Sequence, residues 1–361
     1  MIKKIGVLTG GGDCPGLNAV LRAVVKTAMG KYGWDVIGFK DGYRGLVMND
    51  YIKLSSKDVS GILDKGGTIL GSSNRDNPFN FRLERNGNVE YKDMSERVMD
   101  NVSMHQIDCM VLIGGDGTLT SARDFARKGM NVVGVPKTID NDLSATDTTF
   151  GFMTAVETAT EAIDKLHSTA EAHHRVMILE VMGRYAGWIA LQSGIAGGAD
   201  VILLPEIPYD INSIADKIAE RKQQGKHFSL IVVAEGAKPK DGDVVVSKIV
   251  ENSPDPIRLG GIGNRIADDI EKITGNETRV TVLGHLQRGG RPVPYDRILS
   301  TRYGVAAVEM VNEGKFGKMA SLQGNSITDV SLEDAVGKLK TVDPDGELIR
   351  IARSVGVGFG D

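Results

Sequence analysis

Cysteine is scarce in this sequence. The 361 residues include two cysteines, Cys14 and Cys109, and neither lies in a CxxC pair or at the spacing of metal ligands. A disulfide framework or a structural zinc site needs more cysteines than this. The composition therefore excludes a disulfide-stabilised secreted domain, and it predicts a cytoplasmic location, where thiols stay reduced.

Long apolar runs are also missing. No stretch approaches the roughly 20 apolar residues that a membrane-spanning helix needs. The first apolar run, residues 5–9, has only the length of a strand and leads directly into glycines, unlike the apolar region of a signal peptide. The sequence therefore predicts no membrane segment.

The chain has little that would bind nucleic acid. Lysine and arginine number 43 against 47 acidic residues, so the net charge is -4 and attracts neither nucleic acid nor an anionic membrane. Aromatic residues make up 5% of the chain, which leaves few side chains for stacking on bases. We expect neither a nucleic acid nor a membrane as a partner.

Glycine, by contrast, is abundant, with 45 residues in the chain. This is well above the usual ~7%, and no collagen-like period accounts for it. Many of the glycines follow short apolar runs. Glycines at strand ends indicate loops in which the backbone approaches a ligand or another chain segment closely.

Short apolar runs alternate with helical stretches, which is typical of βαβ units and parallel sheets. In the first part of the chain the predicted strands are residues 2–9, 34–39, 109–113 and 131–135, and the predicted helices are residues 18–29 and 121–128. In the second part the predicted strands are residues 175–181, 200–204, 229–234 and 279–284, and the predicted helices are residues 151–169, 185–195 and 210–224. The fold class is therefore predicted to be α/β.

The length of the chain suggests two lobes, each large enough to bury a sheet. We expect residues 1–150 plus about 286–340 in the first lobe, and residues 151–285 plus the C-terminal tail in the second. A helix predicted over residues 296–313 would return the chain to the first lobe. Residues 238–256 contain Pro, Gly and several acidic residues, which favours an exposed loop or hairpin.

The first glycine loop, GGGDCPG at residues 10–16, lies between a predicted strand and a predicted helix. Unpaired amides and the positive end of the helix can face an anion there. The loop matches neither Walker A, which closes with Gly-Lys-Ser/Thr, nor GxGxxG, because Pro15 occupies the position of the last glycine. A tight turn without a ligand is the alternative.

Two further runs add carboxylates. GGDGT at residues 114–118 contains Asp116, an oxygen ligand suited to Mg²⁺ that bridges phosphates. PKTIDND at residues 136–142 contains Thr138, Asp140 and Asp142. If this segment is extended, both carboxylates point to one side, and one can act as a base while the other organises a metal. A turn with a helix cap is the alternative interpretation.

Six motifs in this order resemble the 6-phosphofructokinase family over nearly the whole chain. The motifs are GVLT at 6–9 with its glycine loop, GGTILGS at 66–72, GGDGT at 114–118, PKTIDND at 136–142, EVMGR at 180–184 and TVLGHLQRGG at 281–290. The resemblance is to the bacterial or actinobacterial branch, ATP-dependent or of mixed substrate. It implies two Rossmann-like lobes, each a mainly parallel sheet sandwiched by helices, and phosphoryl transfer to fructose 6-phosphate.

The family also implies roles for single residues. Asp140 would take the proton from the 1-hydroxyl of fructose 6-phosphate, and Thr138 would steady the transferring group. Asp116 and Asp142 would hold Mg²⁺. The ATP-binding residues implied are Gly12, Arg75, Gly115, Asp116, Gly117 and Thr118. The fructose 6-phosphate residues implied are Thr138, Ile139, Asp140, Arg175, Met182, Gly183, Arg184, Glu235, Arg279, His285, Leu286, Gln287 and Arg288. Arg184 and Arg75 are also implied in catalysis.

The resemblance implies an oligomer as well. In the family, the residues matching Arg175 and Arg279 reach into the site of a neighbouring subunit. The expected assembly is therefore a homodimer or a homotetramer in which each protomer completes another's site.

Two positions bear on the phosphoryl donor. Pyrophosphate-dependent members usually have a second aspartate after Asp116, whereas this chain has Gly117, which leaves room for a nucleotide. Lys137, however, is typical of the pyrophosphate-dependent branch. We expect ATP, because a missing side chain admits the nucleotide directly, and the alternative is a pyrophosphate-dependent enzyme.

Two other kinds of protein share part of this pattern. NAD kinases and lipid kinases also contain GGDGT, but they lack the TIDND, MGR and GHxQRGG runs, and their second lobe is rich in strands. A non-catalytic sensor of sugar phosphates is the remaining alternative. The three aspartates argue against it, because a sensor has no use for a base.

Overall fold

The structure is a computed structural model, and it describes residues 2–85, 88–249 and 257–361. The strands are β1 Lys4–Thr9, β2 Asp35–Phe39, β3 Tyr51–Leu54, β4 Phe81–Arg85, β5 Asn88–Lys92, β6 Cys109–Gly114, β7 Val132–Pro136, β8 Val176–Val181, β9 Val201–Leu203, β10 Ser229–Ala234, β11 Val246–Ile249, β12 Ile257–Leu259, β13 Thr278–Val282, β14 Lys318–Gln323 and β15 Ser326–Ser331. The helices are α1 Leu17–Tyr32, α2 Tyr43–Met48, α3 Ser95–Met104, α4 Asp116–Arg127, α5 Phe152–His173, α6 Trp188–Ala196, α7 Ile211–Gln223, α8 Ile262–Thr274, α9 Pro294–Asn312, α10 Leu332–Ala335 and α11 Glu347–Ser354. The predicted α/β class is confirmed.

The chain divides into two compact units. The first comprises Met1–Ile139, Leu143–Met153 and Arg288–Lys338, and the second comprises Asp140–Asp142, Thr154–Gln287 and Leu339–Asp361. The sequence assigned residues 140–142 to the first lobe. In the structure they belong with the second unit, where the backbone N–H of Lys340 donates to the carbonyl of Asp142 at 2.8 Å.

The first unit, over its described residues, contains a seven-stranded sheet in the order β15-β14-β7-β6-β1-β2-β3. The inner strands β14, β7, β6, β1 and β2 are parallel, while β3 and β15 are antiparallel edges. All six residues of β6 are buried, as expected of a parallel strand that is covered on both faces. Helix α9 lies in this unit and packs on α1, with Gly304 against the backbone of Val20.

The second unit has a smaller sheet. Within its described residues the order is β13-β8-β10-β9, and all pairs are parallel. Helices α7 and α8 contribute Ile214, Ile218 and Ile266 to an apolar core with residues of β8 and β10. Strands β8, β9 and β10 are buried, near-continuous apolar runs, and their short length between helical stretches is what predicted them as strands.

Several elements were not predicted from the sequence. They include strand β3, the hairpin β4–β5, the sheet extension β14–β15 and the helices α2, α3, α8, α10 and α11. In the region predicted as a loop or hairpin, β11 pairs antiparallel with β12, and residues 250–256 of that prediction lie outside the described residues. No helix in the described part of the chain is long and apolar enough to span a bilayer.

Candidate active site

The first glycine loop follows β1 at the carboxyl end of the first sheet and leads into α1. The backbone N–H of Gly10 donates to the carbonyl of Ile113 at 2.8 Å, and that of Gly11 donates to the carbonyl of Ser73 at 2.9 Å. Gly11 and Gly16 have φ angles of 79° and 109°, which favour glycine. The loop is therefore a fixed turn that ends at the amino terminus of a 16-residue helix.

The first and second glycine loops meet across Thr118. A Cβ atom on Gly10 would lie 2.6 Å from Thr118 Oγ1, and one on Gly114 would lie 2.3 Å from Thr118 Cβ. The hydroxyl-bearing side chain is buried, and only glycine on either side leaves space for it. The sequence predicted Thr118 as a ligand contact, and the structure also gives it a packing role between the loops.

Asp116 and Gly117 open helix α4. The Asp116 carboxylate is half-buried and accepts a hydrogen bond from the backbone N–H of Gly337 at 3.1 Å. Gly117 is exposed, and a Cβ atom placed on it would meet nothing within 4 Å. Glycine at this position is therefore not required by packing within the protein, and the space beside it is open.

Lys137 follows β7 and is buried. Its Nζ atom donates to the carbonyl of Gly12 at 2.5 Å. A Cβ atom on Gly11 would lie 3.2 Å from the same Nζ atom. The ammonium group therefore ties β7 to the backbone of the first glycine loop.

Two other motifs contact this region of the first unit. A Cβ atom on Gly12 would lie 2.2 Å from Nη1 of Arg288, so the guanidinium group lies directly on the glycine loop. A Cβ atom on Gly66 would lie 2.2 Å from the carbonyl oxygen of Gly290. Asn18, near the start of α1, donates to the carbonyl of Gly66 at 3.2 Å. Motifs far apart in sequence thus converge on one loop.

A cavity of about 310 Å³ lies next to this loop in the first unit. Its lining residues are Asp41, Arg44, Ser72, Ser73, Arg75, Asp76 and Arg82. Three guanidinium groups against two carboxylates leave a positive balance that suits phosphates. Of these lining residues, the sequence predicted only Arg75 as a site residue. The signal for Arg44 is its place after Gly42, just beyond the carboxyl end of β2.

The segment from Thr138 to Asp142 turns rather than continuing as a strand. Asn141 is buried and has a φ angle of 53°, in the left-handed region. The carbonyl of Thr138 accepts a hydrogen bond from Thr149 Oγ1 at 2.7 Å. Asp140 and Asp142 are half-buried, and Ile139 is buried. The segment therefore turns at Asn141 and is not extended, and it caps no helix of the described chain, since the next one, α5, begins at Phe152.

In the second unit, the acceptor residues implied by the family meet at the carboxyl end of the sheet. Met182 N donates to the side-chain oxygen of Gln287 at 2.8 Å, and Gln287 is fully buried. The N–H of Gly236 donates to the carbonyl of Gly183 at 3.1 Å, so Glu235 lies beside this turn. Gly183 itself has a φ angle of 142°.

The polar groups at this end remain accessible. Arg184 is half-buried, with its guanidinium carbon 4.9 Å from the ring centroid of Tyr185. His285 and Leu286 are exposed on a short 3₁₀ helix, Gly284–Arg288. The structure thus brings together the Met182 turn, Glu235 and the 3₁₀ helix with His285.

Arg175 and Arg279 lie at the other end of the same sheet. Arg175 immediately precedes β8, Arg279 is the second residue of β13, and Glu277 bridges the two. The Arg175 guanidinium, ion-paired with Glu277 at 2.9 Å between Nε and Oε2, holds the pKa of that carboxyl below its usual value. At about 3.3 Å per residue, the six residues of β8 separate the two ends by roughly 20 Å. These arginines do not join the Met182 turn of their own chain.

The carboxylates suit a metal ion whose remaining ligands come from the substrate and from water. Among the described residues, no group of three or more His, Cys, Asp or Glu side chains could hold a metal by itself. Mg²⁺ commonly binds one or two carboxylates plus substrate phosphates and water. Asp116 in the first unit and Asp142 in the second each offer carboxylate oxygens of this kind.

Cys14 is part of the first loop and is buried, and burial raises the pKa of its thiol far above the usual value. A buried, protonated thiol is a poor nucleophile, so the structure gives Cys14 a packing role in the loop.

The parallel α/β architecture of the two units, with glycine loops and Asp116 at the strand ends of the first, suits a phosphotransferase. The phosphofructokinase family model matches residues 4–311, and the chain belongs to the phosphofructokinase family. The resemblance recognised in the motifs is thereby confirmed.

The relatives are similar over their full length. The chain is 65% identical to the ATP-dependent 6-phosphofructokinase 2 of Clostridium perfringens, over 100% of this chain and 99% of that protein. It is 51% identical to the pyrophosphate–fructose 6-phosphate 1-phosphotransferase of Streptomyces coelicolor, over 99% of this chain and 100% of that protein.

A solved structure has the same fold. Phosphofructokinase from Saccharomyces cerevisiae superposes with a TM-score of 0.78 at 32% identity, over 98% of this chain. The match covers 46% of the yeast chain, so the present chain spans about half its length.

Proposed function

We propose that the protein is an ATP-dependent 6-phosphofructokinase. It transfers the γ-phosphoryl group of ATP to the 1-hydroxyl of fructose 6-phosphate, giving fructose 1,6-bisphosphate and ADP in glycolysis. The observation that carries this proposal is the meeting of the two glycine loops across Thr118, beside the segment that leads from Lys137 into Asp140. A short stretch of chain thereby connects the proposed phosphate-binding loops to the candidate base.

The donor site is assigned to the first unit. Backbone amides of the glycine loops and the amino end of α4 face the phosphates, where they neutralise charge in the transition state. Arg75 approaches the phosphates from the cavity that it lines with Arg44 and Arg82. Asp116 and Asp142 would hold Mg²⁺, which supplies further charge neutralisation when it is bound.

The acceptor site is assigned to the carboxyl end of the second sheet. Met182, Gly183, Glu235 and His285 surround the sugar, and Arg184 approaches the reacting end. Asp140 accepts the proton of the 1-hydroxyl as the phosphoryl group is transferred in line. No covalent enzyme intermediate is needed, because positioning and electrostatic stabilisation supply most of the catalysis.

ATP is proposed as the donor because the space beside Gly117 is open. Lys137 does not argue against a nucleotide here, since its ammonium group donates to the carbonyl of Gly12. The pyrophosphate alternative is kept, because lysine at this position is typical of that branch and the Streptomyces coelicolor relative is named for pyrophosphate.

Each active site is proposed to be completed by a second subunit. Arg175 and Arg279 lie at the amino end of the sheet, roughly 20 Å from the Met182 turn by the rise of β8. A homodimer or homotetramer in which they bind the 6-phosphate at a neighbour's site accounts for this placement. The shortage of cysteine favours a cytoplasmic location.

The donor is tested by measuring fructose 1,6-bisphosphate formation with Mg²⁺ and fructose 6-phosphate, supplying ATP or pyrophosphate as the sole donor. Activity with ATP alone supports the proposal. Activity with pyrophosphate alone would reverse the assignment and give Lys137 the decisive role. Tight binding of fructose 6-phosphate without product from either donor would favour the sugar phosphate sensor.

A further inference from the structure

Residues 340–342, called here the 340–342 segment, lie against the loop that carries Asp140 and Asp142. The backbone N–H of Lys340 donates to the carbonyl of Asp142 at 2.8 Å. The Nζ atom of Lys340 donates to Oδ1 of Asn141 at 3.1 Å. Lys340 thus contacts the carboxylate loop through both its backbone and its side chain.

Asn141 is the residue at which this loop reverses. It is buried, and its φ angle of 53° lies in the left-handed region. Residues with a side chain are uncommon in this region, and although asparagine adopts it more readily than most, the conformation is held by contacts with the surroundings. The Lys340 ammonium supplies such a contact, at the residue between the candidate base and the candidate metal ligand.

Lys340 is itself fixed by the start of α6. The indole N–H of Trp188 donates to the carbonyl of Lys340 at 2.8 Å, and the Nζ atom lies 5.7 Å from the Trp188 ring centroid. This distance is within the range of cation–π attraction. The lysine side chain is therefore held between an aromatic face and an amide oxygen.

Glu206 secures the other end of the 340–342 segment. Its carboxylate accepts hydrogen bonds from the N–H of Val342 at 2.8 Å and from that of Gly187 at 3.0 Å. Gly187 is the N-cap of α6, a few residues after Arg184. The 340–342 segment is thus bonded both to the carboxylate loop and to the helix that follows the proposed acceptor turn.

We propose that Lys340 is a positioning residue for phosphoryl transfer, which orients Asp140 and Asp142 through Asn141. The inference rests on the proposed function, because it takes Asp140 as the base. Displacing a reacting group by 1 Å can cost about 100-fold in rate. Loss of the Lys340 side chain therefore lowers turnover more than it weakens substrate binding.

The kinetic test compares Lys340→Met with Lys340→Arg. We expect kcat to fall by about 10- to 100-fold in Lys340→Met while both KM values stay within about threefold, a loss confined to the transition state. Lys340→Arg keeps the positive charge and a hydrogen-bond donor, so its kcat should be higher than that of Lys340→Met. The control is Lys338→Met, an exposed lysine two positions earlier, which should stay within about twofold of wild type.

A second measurement does not depend on activity. Hydrogen exchange of the amides in residues 139–143 should accelerate in Lys340→Met, because the loop opens more often. Trp188→Phe replaces the indole by a smaller aromatic ring without the N–H that donates to the Lys340 carbonyl, and it should accelerate the same amides to a smaller extent. Lys338→Met should leave them unchanged.

Unchanged kcat and unchanged exchange in Lys340→Met would overturn the proposal, as would a loss found only in KM. If thermal unfolding shows that Lys340→Met does not fold, Trp188→Phe decides: wild-type turnover together with wild-type exchange of residues 139–143 in that variant refutes the positioning role. If the wild-type protein is inactive with both ATP and pyrophosphate, the proposed function is refuted instead. Hydrogen exchange of residues 139–143 then still shows whether Lys340 fixes the loop.

Discussion

Asp140 is the side chain on which the proposed reaction depends most. Asp140→Asn keeps the shape of the residue and removes its ability to accept a proton, so kcat should fall by about 10²- to 10⁴-fold. Binding of fructose 6-phosphate, measured by calorimetry, should remain within a few-fold of wild type. Retained turnover would show that another group is the base.

Gly117 is the residue that bears on the donor. In Gly117→Asp the added carboxylate enters open space, and an acidic residue in the first turn of a helix is compatible with folding. Its charge would repel the phosphates of ATP, so KM for ATP should rise by about tenfold or more, or about 1.4 kcal/mol.

Gly117→Ala separates bulk from charge, because it adds the Cβ atom alone. It should change KM for ATP by less than the aspartate does. Equal effects of the two substitutions would mean that volume, and not charge, controls access of the nucleotide to this position.

At the scale of elements, the contact between α1 and α9 depends on a glycine. A Cβ atom on Gly304 would lie 2.7 Å from Ala23 Cβ and 2.7 Å from the carbonyl oxygen of Val20. Gly304→Ala should therefore lower the free energy of unfolding by about 1–3 kcal/mol through overpacking. Thermal unfolding at a fixed protein concentration measures the effect.

The matched control is a glycine of the partner helix. Gly30 lies in α1, is exposed, and a Cβ atom there would meet nothing within 4 Å. Gly30→Ala should stabilise the protein, by at most about 1 kcal/mol, because alanine loses less backbone entropy in a helix. A loss of stability in Gly30→Ala, or none in Gly304→Ala, would contradict this account of the packing.

Elements that the sequence predicted well are those whose pattern is local. Strands β1, β6 and β10 are continuous apolar runs, so their burial on both faces could be predicted from the residues themselves. Strand β14 was missed, because buried Ser321 and Ala320 interrupt the apolar pattern and its pairing with β7 is long-range. Gly324-Asn325, a dipeptide that favours hairpin turns, was a usable signal for β14–β15.

In the candidate site, too, the residues with a local sequence pattern were predicted and those placed by long-range contacts were not. Glycine loops and carboxylates form short motifs, so their positions at strand ends followed from the sequence. Arg82 and Lys340 belong to no local pattern, and only the folded chain brings them to the cavity or to the carboxylate loop. Arg44 has one local signal, its place shortly after the carboxyl end of β2. The left-handed turn at Asn141 also lacked a local signal strong enough to exclude an extended segment.

At the scale of the whole molecule, the placement of Arg175 and Arg279 makes an experiment with mixed subunits decisive. Asp140→Asn and Arg279→Ala should each be nearly inactive alone. If Arg279 serves a neighbour's site, a hybrid oligomer contains sites with both native residues, so mixing after dissociation should restore activity. Steady-state assays of the reassembled mixture measure the recovery.

The control mixture is Asp140→Asn with Arg184→Ala, two residues assigned to the same chain's site. Every site in such a hybrid has at least one defect, and the mixture should stay inactive. Recovery in the control, or none in the test mixture although hybrids form, would show that the arginines act within their own chain.

The hydrogen bonds between Lys340 and the carboxylate loop also impose an order on protein synthesis. Lys340 is translated 200 positions after Asp140. At a translation rate of about 5–20 residues per second, roughly 10–40 s pass between the synthesis of Asp140 and that of Lys340. During that interval the nascent chain has its glycine loops and Asp140 but lacks the lysine proposed to orient this carboxylate, so the proposed arrangement of the loop can form only after residue 340 has been synthesised.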